Sequence, residues 1–214
     1  MSGDKIARAR EALARFIETS HRGDEYFLIS FNERAQLLLD RTRHADAVLN
    51  KFTDVQPRGE TALYDATYLG VEKVTRGSRA RRAILLITDG NDTCSRYSFK
   101  ELRRSLQESD VILYAVGILG ASRAEARVGR NTLKELASVS GGRAFFPEGA
   151  DEMNEAFERI ALELRYQYSI GYRPTDLVGE GEWHRIKIKA ATPDGSRRLL
   201  VRSREGFYAV MNPR

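Results

Sequence analysis

A chain of 214 residues, 42% apolar and 30% charged, is long enough for one domain with a buried core and is not disordered in composition. Its single cysteine, Cys94, cannot staple the chain to itself, and apolar runs such as Ala83–Ile87 are too short to cross a bilayer. The 35 Lys and Arg against 30 Asp and Glu leave a net charge of +5, without the concentrated basic patch of a dedicated nucleic-acid binder.

Ile6, Ala9, Leu13, Phe16 and Ile17 recur at helical spacing and predict a helix over roughly residues 4–19. After a turn at His21–Asp24, the continuous run Tyr26–Phe31 predicts a strand buried on both faces. Asn32–Arg34 is a short reversal, so a second strand over Ala35–Asp40 must pair antiparallel with the first. A short helix comes next around Ala45–Phe52, closed by Pro57 and Gly59. Leu63, Ala66, Gly70 and Val74 share one face of the next helix, with Thr61 placed to cap it. Ala83–Ile87 is the most strand-like run and ends at Thr88–Thr93. Then come a helix over about Ser98–Glu108, a buried strand over Val111–Val116, and a helix over Asn131–Ser140 stopped by Gly141–Gly142. Ala144–Phe146 is a short strand, and Asp151–Leu164 an amphipathic helix.

The tail changes character. Tyr166–Tyr172, Trp183–Ala190 and Leu199–Arg204 read as β, separated by Pro and Gly turns. Tyr166, Tyr168 and Tyr172 are expected to pack it against the domain. This divides the chain into an α/β domain over residues 1–165 and a β-rich extension over 166–214. The alternation of strands and helices through residue 165 predicts an open, mostly parallel α/β sheet with helices on both faces. Such sheets bind ligands beyond the carboxyl ends of their strands, here Asn32–Glu33, Gly59–Thr61, Thr88–Thr93 and the loop after Val116.

At those loops the chain resembles the von Willebrand factor A (VWA) domain family, in particular a bacterial branch with a β-rich C-terminal extension. The resemblance rests on Gly59–Glu60–Thr61–Ala62–Leu63–Tyr64–Asp65–Ala66, Leu85–Leu86–Ile87–Thr88–Asp89–Gly90 and Gly141–Gly142–Arg143–Ala144–Phe145–Phe146. Gln167–Tyr172 and Arg204–Tyr208 extend it to the tail. It implies a Rossmann-like fold and a metal-ion-dependent adhesion site holding Mg²⁺, a hard cation that takes oxygen ligands in octahedral geometry and keeps several waters. In the family, an Asp-x-Ser-x-Ser motif, a Thr and an Asp supply the ligands; the Thr and Asp correspond to Thr61 and Asp89.

Asp-x-Ser-x-Ser is nowhere in this sequence, and Met1–Ile6 resembles the turn that leads from that motif into the family's first helix. The expectation is therefore a domain lacking its first strand and three of five ligands, with Mg²⁺ held weakly or not at all. That strand would lie between Tyr26–Phe31 and Ala83–Ile87. Its absence leaves either a gap of about 10 Å, twice the strand spacing, or two apolar strands closed on each other. Unpaired interior edges favour marginal stability or strand-mediated self-association.

The resemblance implies a non-enzymatic, protein-binding domain whose partner offers an acidic side chain to the metal. The rival is a metal-dependent α/β hydrolase or phosphotransferase using Asp89, but no nucleophile elbow, phosphate-cradling loop or catalytic carboxylate pair accompanies it. His21, His44 and His184 lack metal-ligand spacing, so zinc is not expected. Arg22–Gly23–Asp24 reads as a turn rather than a recognition tripeptide. Arginines 79, 81, 82, 197, 198, 202 and 204 read as a solvated basic face. The opening Met1–Lys5 enters amphipathic sequence directly, without a leader pattern, and the compartment stays open.

Overall fold

Two stretches of continuous apolar sequence, Ala83–Ile87 and Val111–Val116, become the centre of the molecule because each can bury both of its faces. In the computed structural model, which describes residues 3–21, 23–55, 59–77, 79–89, 91–118, 123–172, 174 and 181–209, the first six elements are α1 (Gly3–Glu18), β1 (Tyr26–Phe31), β2 (Ala35–Thr42), α2 (Ala45–Phe52), α3 (Leu63–Thr75) and β3 (Arg82–Thr88). They are followed by α4 (Phe99–Glu108), β4 (Val111–Gly117), α5 (Arg123–Val139), β5 (Ala144–Phe145) and α6 (Ala150–Arg165). Arg22, Pro57 and Gly90, expected in turns, lie outside the described residues.

β3, β4 and β5 form a parallel sheet in that order. Because side chains alternate along a strand, Ile84, Leu86, Leu113 and Ala115 point to one face and meet Leu63 and Val71 of α3, Leu102 and Leu106 of α4, and Leu133 and Leu136 of α5. Leu85, Ile87, Tyr114 and Val116 point to the other and meet Leu13 and Ile17 of α1, Val48 and Phe52 of α2, and Phe157 and Ile160 of α6. Phe16 and Phe157 close that layer edge to face, ring centroids 6.3 Å apart. Helices thus cover both faces, as expected of an open Rossmann-like sheet. Among the described residues no helix is long and apolar enough to cross a membrane.

β1 and β2 form the expected antiparallel hairpin, with Phe31 opposite Ala35 and Tyr26 opposite Thr42. The hairpin is a separate sheet: β1 makes no ladder with β3. The two strands nevertheless run in the same direction. At their amino ends the Arg79 guanidinium donates to Gly23 O at 2.8 Å. Past the carboxyl end of β1, Ala62 N–H donates to Asn32 O at 2.6 Å, and Thr93, beyond β3, donates to Thr61 O at 2.9 Å. Between them lies a cavity of about 860 Å³. Of the two expected outcomes, gap or closure, the molecule has the gap.

Three expectations need correction. α5 begins at Arg123, eight residues before Asn131, because its first turns carry good helix formers around a buried Gly129 but no apolar stripe, and Val128 is exposed. Its end is as expected: Gly141 adopts φ +85°, and a Cβ on Gly142 would collide with Leu113 O of β4. In the tail, Tyr166–Tyr172 is not a strand, and of Leu199–Arg204 only Leu199 is in one. The strands are short, β6 (Trp183–Arg185), β7 (Ala190–Ala191), β8 (Arg198–Leu199) and β9 (Gly206–Tyr208), paired β6 with β9 and β7 with β8. Finally, Tyr166, Tyr168 and Tyr172 do not pack on the domain: Tyr168 is 92% exposed, and only Tyr172 meets an aromatic neighbour, Phe207. The tail is fastened instead near its end, by Arg204 to Asp110 and Arg202 to Glu163.

Candidate functional site

The loops beyond the carboxyl ends of β1 and β3 converge with the segment entering α3. Gly59 takes φ +71°, and a Cβ there would press on the Glu33 carboxylate, so the 59–62 segment lies directly over the β1–β2 turn. Thr61 N–H donates to Thr93 Oγ1 at 2.8 Å while Thr93 N–H returns to Thr61 O at 2.9 Å. With the Ala62–Asn32 bond, these links fix three loops to one another.

Thr61 is not the helix cap. α3 starts at Leu63, Ala62 occupies the cap position, and no side chain of that segment satisfies the first-turn amides. The neighbouring loop does so: Tyr64 N–H donates to Asp92 Oδ1 at 3.1 Å and Asp65 N–H to Ser95 Oγ at 3.1 Å. A negative Asp92 at this end also suits the helix dipole. The Thr61 hydroxyl is therefore released from the capping role, while the Asp92 carboxylate is committed to it.

Asp65 anchors the same loop from the helix side. It is buried, accepts from Arg96 N–H at 2.9 Å and Tyr97 N–H at 3.0 Å, and pairs with the exposed Arg96 guanidinium at 3.2 Å. Tyr97 stacks on Tyr68 of α3, centroids 4.0 Å apart. A carboxylate among Leu63, Ala66 and Gly70 on the helix's buried face was the sequence signal for this anchor, and periodicity alone passed over it. Asn91 joins the loop to α5 by donating to Glu125 O at 3.0 Å.

Thr61 and Asp89 both line one end of the cavity between β1 and β3, together with Glu60. As oxygen donors, a hydroxyl and a carboxylate suit a hard cation, and Mg²⁺ takes one or two carboxylates with the rest of its shell as water. Among the described residues no cluster of three or more His, Cys, Asp or Glu forms a fuller cage. The donor set fits a cation held by few protein ligands.

The chemistry of the rest of the site is quiet. Cys94 lies with Sγ 3.7 Å from Glu33 O. Burial, then the charges of Glu60 and Asp92, push its thiol above the ordinary value against a lowering bond from Thr93, the opposite of an activated nucleophile. The histidines are scattered: His21 lines the cavity near the amino ends of the strands, His44 precedes α2, and His184 stacks on Phe207 in the tail. In the His21–Asp24 turn, Asp24 Oδ2 accepts from His21 N–H at 2.9 Å.

Comparison with known proteins bears on the family and the fold. The family model described as von Willebrand factor type A domain matches residues 1–159. Mouse inter alpha-trypsin inhibitor heavy chain 4 is 26% identical over 196 residues, covering 84% of this chain and 20% of that protein. The chain spans about a fifth of the length of the curated relatives it matches. Among solved structures, a von Willebrand factor type A protein from Catenulispora acidiphila superposes with a TM-score of 0.61 at 17% identity, covering 74% of this chain and 38% of that one. Proximal thread matrix protein 1 from the mussel byssus, with a zinc-occupied MIDAS motif, superposes with a TM-score of 0.58 at 14% identity, covering 77% of this chain and 43% of that one. At such identities the structural likeness concerns the fold.

Proposed function

Since the chain belongs to the von Willebrand factor type A domain family, whose domains mediate protein interactions, we propose that it is a non-enzymatic protein-binding domain. Its recognition surface is the loop cluster around Thr61 and Asp89, and its partner contributes an acidic side chain. A Mg²⁺ there would be held by the Thr61 hydroxyl and the Asp89 carboxylate, and when bound it supplies a positive charge with open positions for a partner's carboxylate. The observation that carries this reading is the placement of Thr61 and Asp89 at one end of a shared cavity, with the Thr61 hydroxyl left out of helix capping.

The chain's own part is positioning. The Thr61–Thr93 pair and the Asp92, Ser95 and Asp65 bonds hold the loops to one another and to α3. A site with two protein ligands is a degenerate version of the family's five, and its affinity for the free cation is low. Calorimetry with Mg²⁺ should give a Kd of about 1 mM or weaker, corresponding to about −4 kcal/mol. Paramagnetic Mn²⁺ should broaden the amide resonances around Thr61 and Asp89, and Asp89→Ala should remove that broadening. Micromolar Mg²⁺ affinity that survives Asp89→Ala would overturn the assignment.

A further inference from the structure

A long exposed side chain ordinarily samples many rotamers, and ordering it opposes binding. Arg96 is ordered in advance. Its side chain is 88% exposed, yet its Nε donates to Asp65 Oδ2 at 3.2 Å. Asp65 is itself buried at the start of α3 and accepts from the Arg96 and Tyr97 amides. The clamp uses only the inner N–H of the guanidinium. Among the described residues Nη1 and Nη2 have no hydrogen-bond partner, so the outer edge of the fork faces water as a fixed pair of donors.

Two further features place this edge beside the Thr61–Asp89 end. The loop that carries Arg96 also carries Thr93, whose amide and hydroxyl are both bonded to Thr61. Three residues of chain span at most about 11 Å, so the Arg96 Cα lies within that distance of the Thr93 Cα. Next along the chain, the Tyr97 ring stacks on Tyr68 with centroids 4.0 Å apart and remains 37% exposed. A fixed arginine next to a fixed aromatic ring is a pairing that dominates many protein interfaces, because little rotamer entropy is left to lose. The planar fork of donors matches a carboxylate, which is also what a cation at Thr61 and Asp89 would draw from a partner.

Resting on the reading of the Thr61–Asp89 end as a recognition site, we propose that Arg96 is its second anchor. It takes a carboxylate directly, without metal, from the same acidic partner segment, with Tyr97 as an apolar rest beside it. The partner therefore presents two acidic side chains on one side of an extended segment. They stand up to four residues apart, since residues i and i+4 of an extended chain lie about 13 Å apart. Lys100, exposed in the first turn of α4 and without such a clamp, adds only diffuse charge.

The probe is a capped synthetic peptide, Asp-Gly-Ser-Gly-Asp, titrated into the whole chain at low salt, once in excess Mg²⁺ and once in chelator. Binding is followed by the backbone amide and arginine Nε resonances. In chelator the Arg96 Nε–H and the Tyr97 amide should shift saturably while the amides around Thr61 and Asp89 stay in place. In Mg²⁺ both groups should shift together. Arg96→Gln should weaken binding in chelator about threefold or more. Arg96→Lys, which keeps the charge but loses the fork, should not restore it, and Lys100→Gln should leave it nearly unchanged. No shift at Arg96 in chelator, full affinity in Arg96→Gln, full rescue by Arg96→Lys, or an equal loss in Lys100→Gln would each overturn the proposal. The two readings fail separately. A silent Thr61–Asp89 end in Mg²⁺ contradicts the metal site and leaves the Arg96 contact in chelator intact. Shifts there that survive Arg96→Gln, with no response at Arg96, contradict the second anchor alone.

Discussion

β1 and β4 are sequences of the same kind, short continuous apolar runs, yet the fold treats them differently. β4 has β3 and β5 as neighbours and helices over both faces, and Leu113, Ala115 and Val116 are fully buried. β1 has a neighbour on one side only, and all six of its residues remain partly exposed. Apolar character says what a strand is able to bury, and the number of neighbours decides how much it does. The same contrast separates the two sides of β3, whose β4 side is a complete ladder and whose β1 side is a cavity wall.

The largest expected effect bears directly on that contrast. Leu113→Ala should cost about 3–5 kcal/mol in urea unfolding, whereas Leu28→Ala on β1 should cost about 1–2 kcal/mol, because a partly exposed side chain loses less and leaves no sealed void. Equal costs would mean that β1 is as well enclosed as β4. Next is Asp65→Ala, which strips the Arg96 and Tyr97 amides of their acceptor. It should cost about 1–3 kcal/mol, against under about 1 kcal/mol for Arg96→Ala, since that guanidinium is 88% exposed. Comparable losses from both would make the ion pair, rather than the loop anchor, the important contact.

Tyr114 offers a pH handle on the paired half. Burial, then the neighbouring Glu163 carboxylate, push its hydroxyl up to about 12. Its folded value lies above the unfolded value near 10, so its contribution is intact below about pH 10 and is lost as pH rises towards 12. Spectrophotometric titration should find it the last tyrosine to ionise in the folded chain, and titration with the exposed tyrosines would contradict this. The smallest effect concerns Cys94. Its raised thiol should alkylate more slowly than free cysteine near neutral pH, with the rate profile shifted to higher pH.

Much of the framework was legible because periodicity reports burial directly. Residues such as Leu102 and Leu106 of α4 or Met153 and Phe157 of α6 carry a helical stripe, and the matching helices formed. α5 lost its first two turns in the sequence because that part has no apolar stripe. The tail strands were misplaced because a two-residue ladder such as Ala190–Ala191 with Arg198–Leu199 leaves almost no alternation to detect. At the site, Thr61 and Asp89 were visible as motif residues, but the exchange of capping roles between Thr61 and Asp92 was not. A cap supplied from 28 residues away depends on tertiary placement, which local spacing does not encode.

The division of the sheet between β1 and β3 underlies the placement of the Thr61–Asp89 end, and residue-resolved amide hydrogen exchange on the chain tests it most directly. Amides along β4 should all be strongly protected, whereas in β1 and β3 protection should alternate, with those facing the cavity exchanging much faster than those bonded to β2 and β4. Uniform protection along β1 and β3, matching that of β4, would show the two strands paired to each other and contradict the open sheet.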